Sequence, residues 1–162
     1  MRIYPDLKMK KIAYIAVTAI ALSACNPGVS PPAELNPNTM VADLSSGYFN
    51  STHAHAIDQG GSISISAQQD LGGPADEITI DIPKSDVVPY QVTVPSDPDA
   101  VIGYYDASNS TQYYARAGEG SLTIYVTSLT PTIQGSFSAT TVANSALDSI
   151  QVLTNGAFNA TY

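Results

Sequence analysis

An all-β domain of about 8 to 10 antiparallel strands, stacked as a sandwich or curled towards a barrel, is what this sequence predicts. Three observations carry that expectation. Short runs of β-branched and aromatic residues alternate with polar ones at period two, and clusters of glycine, proline, asparagine and aspartate separate them. No segment sustains an apolar stripe at the 3.6-residue period of a helix.

Run by run, "SISISAQ" sets Ile63, Ile65 and Ala67 on one face, and "EITIDIP" does the same with Ile78, Ile80 and Ile82. "PYQVTVP" aligns Tyr90, Val92 and Val94, and "SLTIYVTS" aligns Leu122, Ile124 and Val126. "TIQGSFSAT" aligns Ile133, Gly135, Phe137 and Ala139. One face of each run meets a core and the other meets water, which suits antiparallel pairing better than a doubly covered parallel sheet. Breakers fall at Gly60-Gly61, Gly72-Gly73-Pro74, Ser108-Asn109, Gly118 to Gly120, Thr130-Pro131 and Asn155-Gly156, and each is expected to turn a hairpin. "TTVANSALDS" is the nearest approach to a helical pattern and has room for one helical turn. Strands left in one open layer would expose edges, so closure or stacking is expected.

The N-terminal end has a different character. Arg2, Lys8, Lys10 and Lys11 precede thirteen uncharged, mostly apolar residues from Ile12 to Ala24. A membrane-spanning helix needs about 20 apolar residues, so this run is the length of an export-signal core. Residues 1–24 read as a signal peptide, with Met1 or Met9 as the start. Leu22-Ser23-Ala24-Cys25 resembles the lipobox of bacterial lipoproteins, and that resemblance implies a mature chain beginning at Cys25 with lipid on its sulfur and amine. One acyl chain holds only marginally at about 0.8 kcal/mol per methylene, and two or three make a lasting anchor. Residues 25–39 then form a proline-rich tether, "NPGVSPPAELNPN" at its centre, and residues 40–162 the all-β domain.

Removing residues 1–24 leaves two bases, Lys84 and Arg116, against thirteen carboxylates, a side-chain balance of −11. Such a body repels phosphate, which excludes nucleic-acid binding. With Cys25 the only cysteine, no internal disulfide can form, and stability must come from one core.

The closing third carries a family resemblance. "GSLTIYVT" (Gly120 to Thr127), "IQGSFS" (Ile133 to Ser138) and "LTNGAFN" (Leu153 to Asn159) resemble the "G-x-ITIT", "I-x-G-T-F-S" and "ITNG-x-F-N-V" elements of a family of small Gram-negative bacterial lipoproteins of unknown function. With "SGYFNSTHAHAI" and "SISISAQ" the likeness covers roughly residues 40 to 162. Family members often have tryptophan in the first strand, where this chain has none, and Ser136 stands where threonine is usual. The resemblance implies an all-β lipoprotein and brings no catalytic residues.

Four constellations bear on chemistry. His53 and His55 would share a strand face, but zinc needs a third protein ligand, which Asp58 or a distant carboxylate would have to supply, so no metal or other cofactor is assigned. Asp97 and Asp99, with Asp106, lie in loops where calcium ligands could gather, without the spacing of an EF-hand. Tyr104-Tyr105 and Tyr113-Tyr114 flank a turn at Ser108-Asn109, which sets Tyr104 opposite Tyr113 and offers an aromatic platform. No G-x-S-x-G elbow or phosphate loop is present, so the reading is non-enzymatic.

Together these features describe a lipoprotein of the cell envelope, anchored in the outer membrane and facing the periplasm. It is expected to bind a small apolar or glycan ligand at the barrel mouth or on the tyrosine face; the alternative is an accessory subunit docking onto a larger envelope complex through a sheet edge or apolar patch. Replacing Cys25 with alanine is expected to abolish incorporation of radiolabelled palmitate; label retained in that variant would remove the anchor from this reading.

Overall fold

The computed structural model describes residues 34–69, 75–144 and 146–162. The signal peptide, Cys25, most of the tether and the Gly72-Gly73-Pro74 breaker lie outside the described residues. Eleven strands follow in order: β1 (Thr39–Leu44), β2 (Gly47–Ser51), β3 (His55–Asp58), β4 (Ser62–Gln68), β5 (Glu77–Pro83) and β6 (Tyr90–Val94), then β7 (Val101–Asp106), β8 (Thr111–Ala115), β9 (Ser121–Ser128), β10 (Thr132–Ala143) and β11 (Ala146–Thr161). The all-β expectation holds, with eleven strands rather than 8 to 10; β4, β5, β6, β9 and β10 coincide with the five alternating runs, and the other six lie outside them.

Pairing divides the strands into two runs. One runs β3-β4-β5-β7-β8 and the other β2-β1-β11-β10-β9-β6. The runs join at both margins, through one parallel pair, Thr161 with His55, and through Val142 and Ala143 against Tyr114 and Tyr113. The arrangement is sandwich-like, and every pairing except β11 with β3 is antiparallel. Gly60-Gly61 turns β3 into β4, where the Gln59 N–H donates to the Ser62 carbonyl. After β8 the chain changes layer through a tight turn at Ala117-Gly118, closed by reciprocal backbone bonds between Arg116 and Glu119.

Alternation places the core where the sequence put it. Ile63, Ile65, Ile78, Ile80, Ile82 and Ile102 of the first run are fully buried against Met40, Phe49, Leu122, Ile124, Phe137 and Phe158 of the second. Each contributes about 1.5–3 kcal/mol on burial. The longest ribbon, β10 with β11, lies at the centre of its layer and rests on two reciprocal pairs: Phe137 lies opposite Gly156, and Phe158 opposite Gly135. A Cβ on Gly156 would stand 2.6 Å from the Phe137 ring, and one on Gly135 2.6 Å from Phe158 and 2.4 Å from the Tyr125 carbonyl. The two rings stack at 6.4 Å over the room those glycines leave.

Two turn expectations are corrected. Asn155-Gly156 closes no hairpin; it lies inside β11 as a bulge, where Ser138 of β10 faces both Thr154 and Asn155, and the register against β1 shifts at the same point. Asn155 takes φ of 50°, so the positive-φ tolerance that marks a hairpin turn serves a bulge here. The extra residue switches the phase: Gln151 and Leu153 face inward before it, and Gly156, Phe158 and Ala160 after it. The described residues of "TTVANSALDS" hold no helical turn; they belong to the end of the ribbon, with Ala143 paired to Ala146. Two-strand pairing satisfies its backbone groups more fully than a lone helical turn would.

Gly156→Ala is therefore expected to lower the free energy of unfolding by about 1–3 kcal/mol through overpacking. Phe137→Leu in the Gly156→Ala background should recover part of that loss. Urea denaturation of the two variants checks both; an additive pair of losses would show that the ring and the glycine do not share the space.

Candidate functional site

The expected tyrosine register is observed and its consequence is different. Tyr104 lies opposite Tyr113 with ring centroids 5.9 Å apart, but Tyr104 is 1% and Tyr113 7% exposed. That face belongs to the core, because β7 and β8 turn the alternation of Ile102, Tyr104, Tyr113 and Ala115 inward. The Tyr104 hydroxyl donates to Asp76 Oδ2 at 2.8 Å, and the Ala107 N–H donates to the other oxygen of the same carboxylate. Burial first, and then the Asp76 carboxylate, push ionisation of Tyr104 far above the ordinary tyrosine range. Tyr105 and Tyr114 remain half-buried on the outer face, where the Arg116 guanidinium lies 5.3 Å from the Tyr114 ring.

The histidines are not a strand pair. His53 precedes β3 in an irregular segment, and His55 opens the strand with Nε2 3.0 Å from Ser66 Oγ. Among the described residues no three His, Cys, Asp or Glu side chains converge. The loop carboxylates serve their own turns. Asp97 accepts from the Thr93 N–H at 2.7 Å, and Asp106 accepts from the Ser108 N–H and hydroxyl and from Asn109 Nδ2, while Asp99 stays exposed.

The fold leaves open space at one pole of the sandwich. The ends of β3 and β11, the β5–β6 connection and the β9–β10 turn surround an open cleft of about 740 Å³. Its rim carries apolar side chains that water still reaches: Ile57 is 56%, Val88 40% and Tyr162 52% exposed. Leu129, half-buried, packs from the β9–β10 turn. The polar lining comes from Asp58, Lys84, Asp86 and the hydroxyls of Ser85, Thr127, Ser128 and Thr130.

Lys84 Nζ donates to Asp58 Oδ2 at 2.5 Å, and the Gly60 N–H donates to the other oxygen of Asp58 at 2.8 Å. These bonds, the lysine first, hold the Asp58 carboxyl below its usual range, and the same partner raises Lys84. Tyr162, at the mouth, is raised by partial burial and then by the Asp58 charge. The arrangement sets an apolar rim beside an exposed ion pair. The sequence singles out Asp58 only as a possible third zinc ligand beside His53 and His55, and it does not mark Ile57, Lys84, Val88 or Tyr162 as site residues. The one signal for them was "PKSDVVPY", a breaker-rich connector that nevertheless carries two adjacent valines.

The family described as Domain of unknown function (DUF6252) matches residues 36–161. No curated protein and no solved structure matches the chain.

A depressed carboxylate contributes stability that is present above the ordinary aspartate midpoint near pH 3.9 and fades as pH falls through its own lower one. In a carbon-detected titration Asp58 is thus expected to protonate below the ordinary aspartate midpoint, and Lys84→Met should move its midpoint upward. Because the pair is open to solvent, the same variant should leave the thermal midpoint almost unchanged.

Proposed function

The chain belongs to the DUF6252 family, whose description assigns no activity, and on that footing we propose that it is a non-catalytic binding module of the cell envelope, carried on lipid at Cys25, that holds its target in the cleft at the pole of the sandwich. The observation that carries this reading is the gathering of exposed apolar side chains, Ile57, Val88 and Tyr162, around a cleft of about 740 Å³. That volume lies within the range of ligand pockets, about 300–1,000 Å³, and a few fixed polar groups among apolar walls are what such sites use for orientation. Tyr104 and Tyr113, buried in the core, offer no ring surface to a ligand.

The route of the chain agrees with this placement. Asn159 Nδ2 donates to the Leu35 carbonyl, and the Thr161 hydroxyl donates to Asn38 Oδ1, so the chain enters the domain beside the end of β11, at the cleft pole. An anchor at Cys25, nine residues before Glu34, would hold that pole towards the membrane. The cleft would then meet envelope components close to the bilayer.

A photoreactive amino acid at position 57 in living cells tests the reading, with one at position 125, on the outer face of β9, as control. A discrete adduct from position 57 and none from position 125 is expected, and mass spectrometry would give its chemical class. Equal labelling at both positions, or none at either, would contradict a target in the cleft.

A further inference from the structure

We propose that the cleft is a strand-addition site: a partner's extended, basic polypeptide segment lies along the open edge of β3. This deepens the binding reading above and rests on it.

The geometry begins with the two edges of β3. On one side β4 pairs with every residue from His55 to Asp58; on the other, the only strand pairing among the described residues is His55 with Thr161. The bond from the Gln59 N–H to the Ser62 carbonyl, at 2.9 Å, fixes the phase of the β3–β4 ladder. Antiparallel bonds alternate from residue to residue, so Ala56 and Asp58 direct their peptide groups away from β4, on the cleft side. Both residues line the cleft. Strand addition takes its affinity from such peptide groups and its specificity from surfaces that meet alternate side chains, which Ile57, Val88 and Tyr162 supply.

The other two margins are guarded. At β2 the Tyr48 carbonyl already accepts from Gln69 Nε2 at 3.1 Å, and β6 is bracketed by Pro89 and Pro95, which supply no N–H. The β3 edge has neither device. Its open span, the three residues Ala56 to Asp58 at about 3.3 Å each, accommodates a short strand core.

Charge selects the partner. Lys84 is engaged by Asp58 and Arg116 by Glu119, so both bases of the body are occupied, while Asp86 adds a further carboxylate to the cleft. A newcomer meets net negative potential, which attracts a basic segment and disfavours an acidic peptide or an anionic lipid head group.

The test uses the full chain in detergent and three fluorescent hexapeptides: alternating valine and lysine, alternating valine and glutamate, and the lysine peptide with alternate amides N-methylated. Anisotropy should show saturable binding of the lysine peptide, at least tenfold weaker binding of the glutamate peptide, and loss of binding on N-methylation. Asp86→Lys, with its circular dichroism unchanged, should weaken the lysine peptide severalfold, and hydrogen exchange should slow at the Asp58 amide and not at Tyr90 to Val94. Equal binding of the methylated or the acidic peptide, or protection at β6 instead, would overturn strand addition. If no peptide binds while the position-57 adduct proves to be a sugar or a lipid, this inference fails and the binding module stands. If no peptide binds and no adduct forms, both fall.

Discussion

Two phenyl rings need somewhere to lie, and the central ribbon is arranged around that need. Phe137 and Phe158 come from paired strands and face the same core; side chains opposite them larger than hydrogen would drive β10 and β11 apart. Glycine at 135 and 156 removes the obstacle on each side, so each ring covers the backbone across from it. Every other strand is attached to this ribbon directly or through one of its neighbours. β1 and β2 hang from β11, β9 and β6 from β10, and the five-stranded run is tied to β11 at one margin and β10 at the other. The bulge at Asn155 belongs to the same constraint. Without it, the phase that buries Leu153 would turn Phe158 outward, away from the space Gly135 leaves for it. Asn155 Nδ2 donates to Asp43 Oδ2 at 2.8 Å, which fastens the bulge to β1.

The inward faces were legible because period-two alternation reports burial directly: Ile63, Ile65, Ile78, Ile80, Ile82, Ile124 and Phe137 are all core. The Tyr104–Tyr113 register was legible for a similar reason, since a turn at Ser108-Asn109 fixes which residues oppose each other. Which side of the layer that pair faces was not, because tyrosine fits both a wet face and a core that offers its hydroxyl a partner, and the partner, Asp76, is distant in sequence. Asn155-Gly156 misled because a hairpin turn and a bulge need the same backbone freedom, and only the partner strands tell them apart. The cleft was the least legible feature. It is assembled from segments around residues 57, 84, 88, 129 and 162, each an ordinary strand end or connector by itself.

Between residues 25 and 162 the only two bases are Lys84 and Arg116, and both stand in exposed ion pairs. Exposed pairs contribute little to stability, so their effect is local orientation. Arg116 and Glu119 close the turn by which the chain leaves one layer for the other, with the guanidinium over Tyr114. Lys84 and Asp58 join the β5–β6 connection to the end of β3, across the base of the cleft. That bond spans two segments on which the cleft depends.

The cleft follows from unequal strand lengths. β10 and β11 run 12 and 16 residues, whereas β3 has only 4 and β4 and β5 have 7 each. The layers can therefore meet at the pole by a single pair, Thr161 with His55, after which β3 continues without a neighbour on that side. Filling the gap from within would require a longer connector between β5 and β6 or another strand beside β3. The chain instead places Val88 and Leu129 around it, side chains that lose water contact only if something enters. A sandwich could bury that apolar surface more cheaply by extending the β9–β10 turn across it, so the open pole is a feature of this fold that its stability does not require.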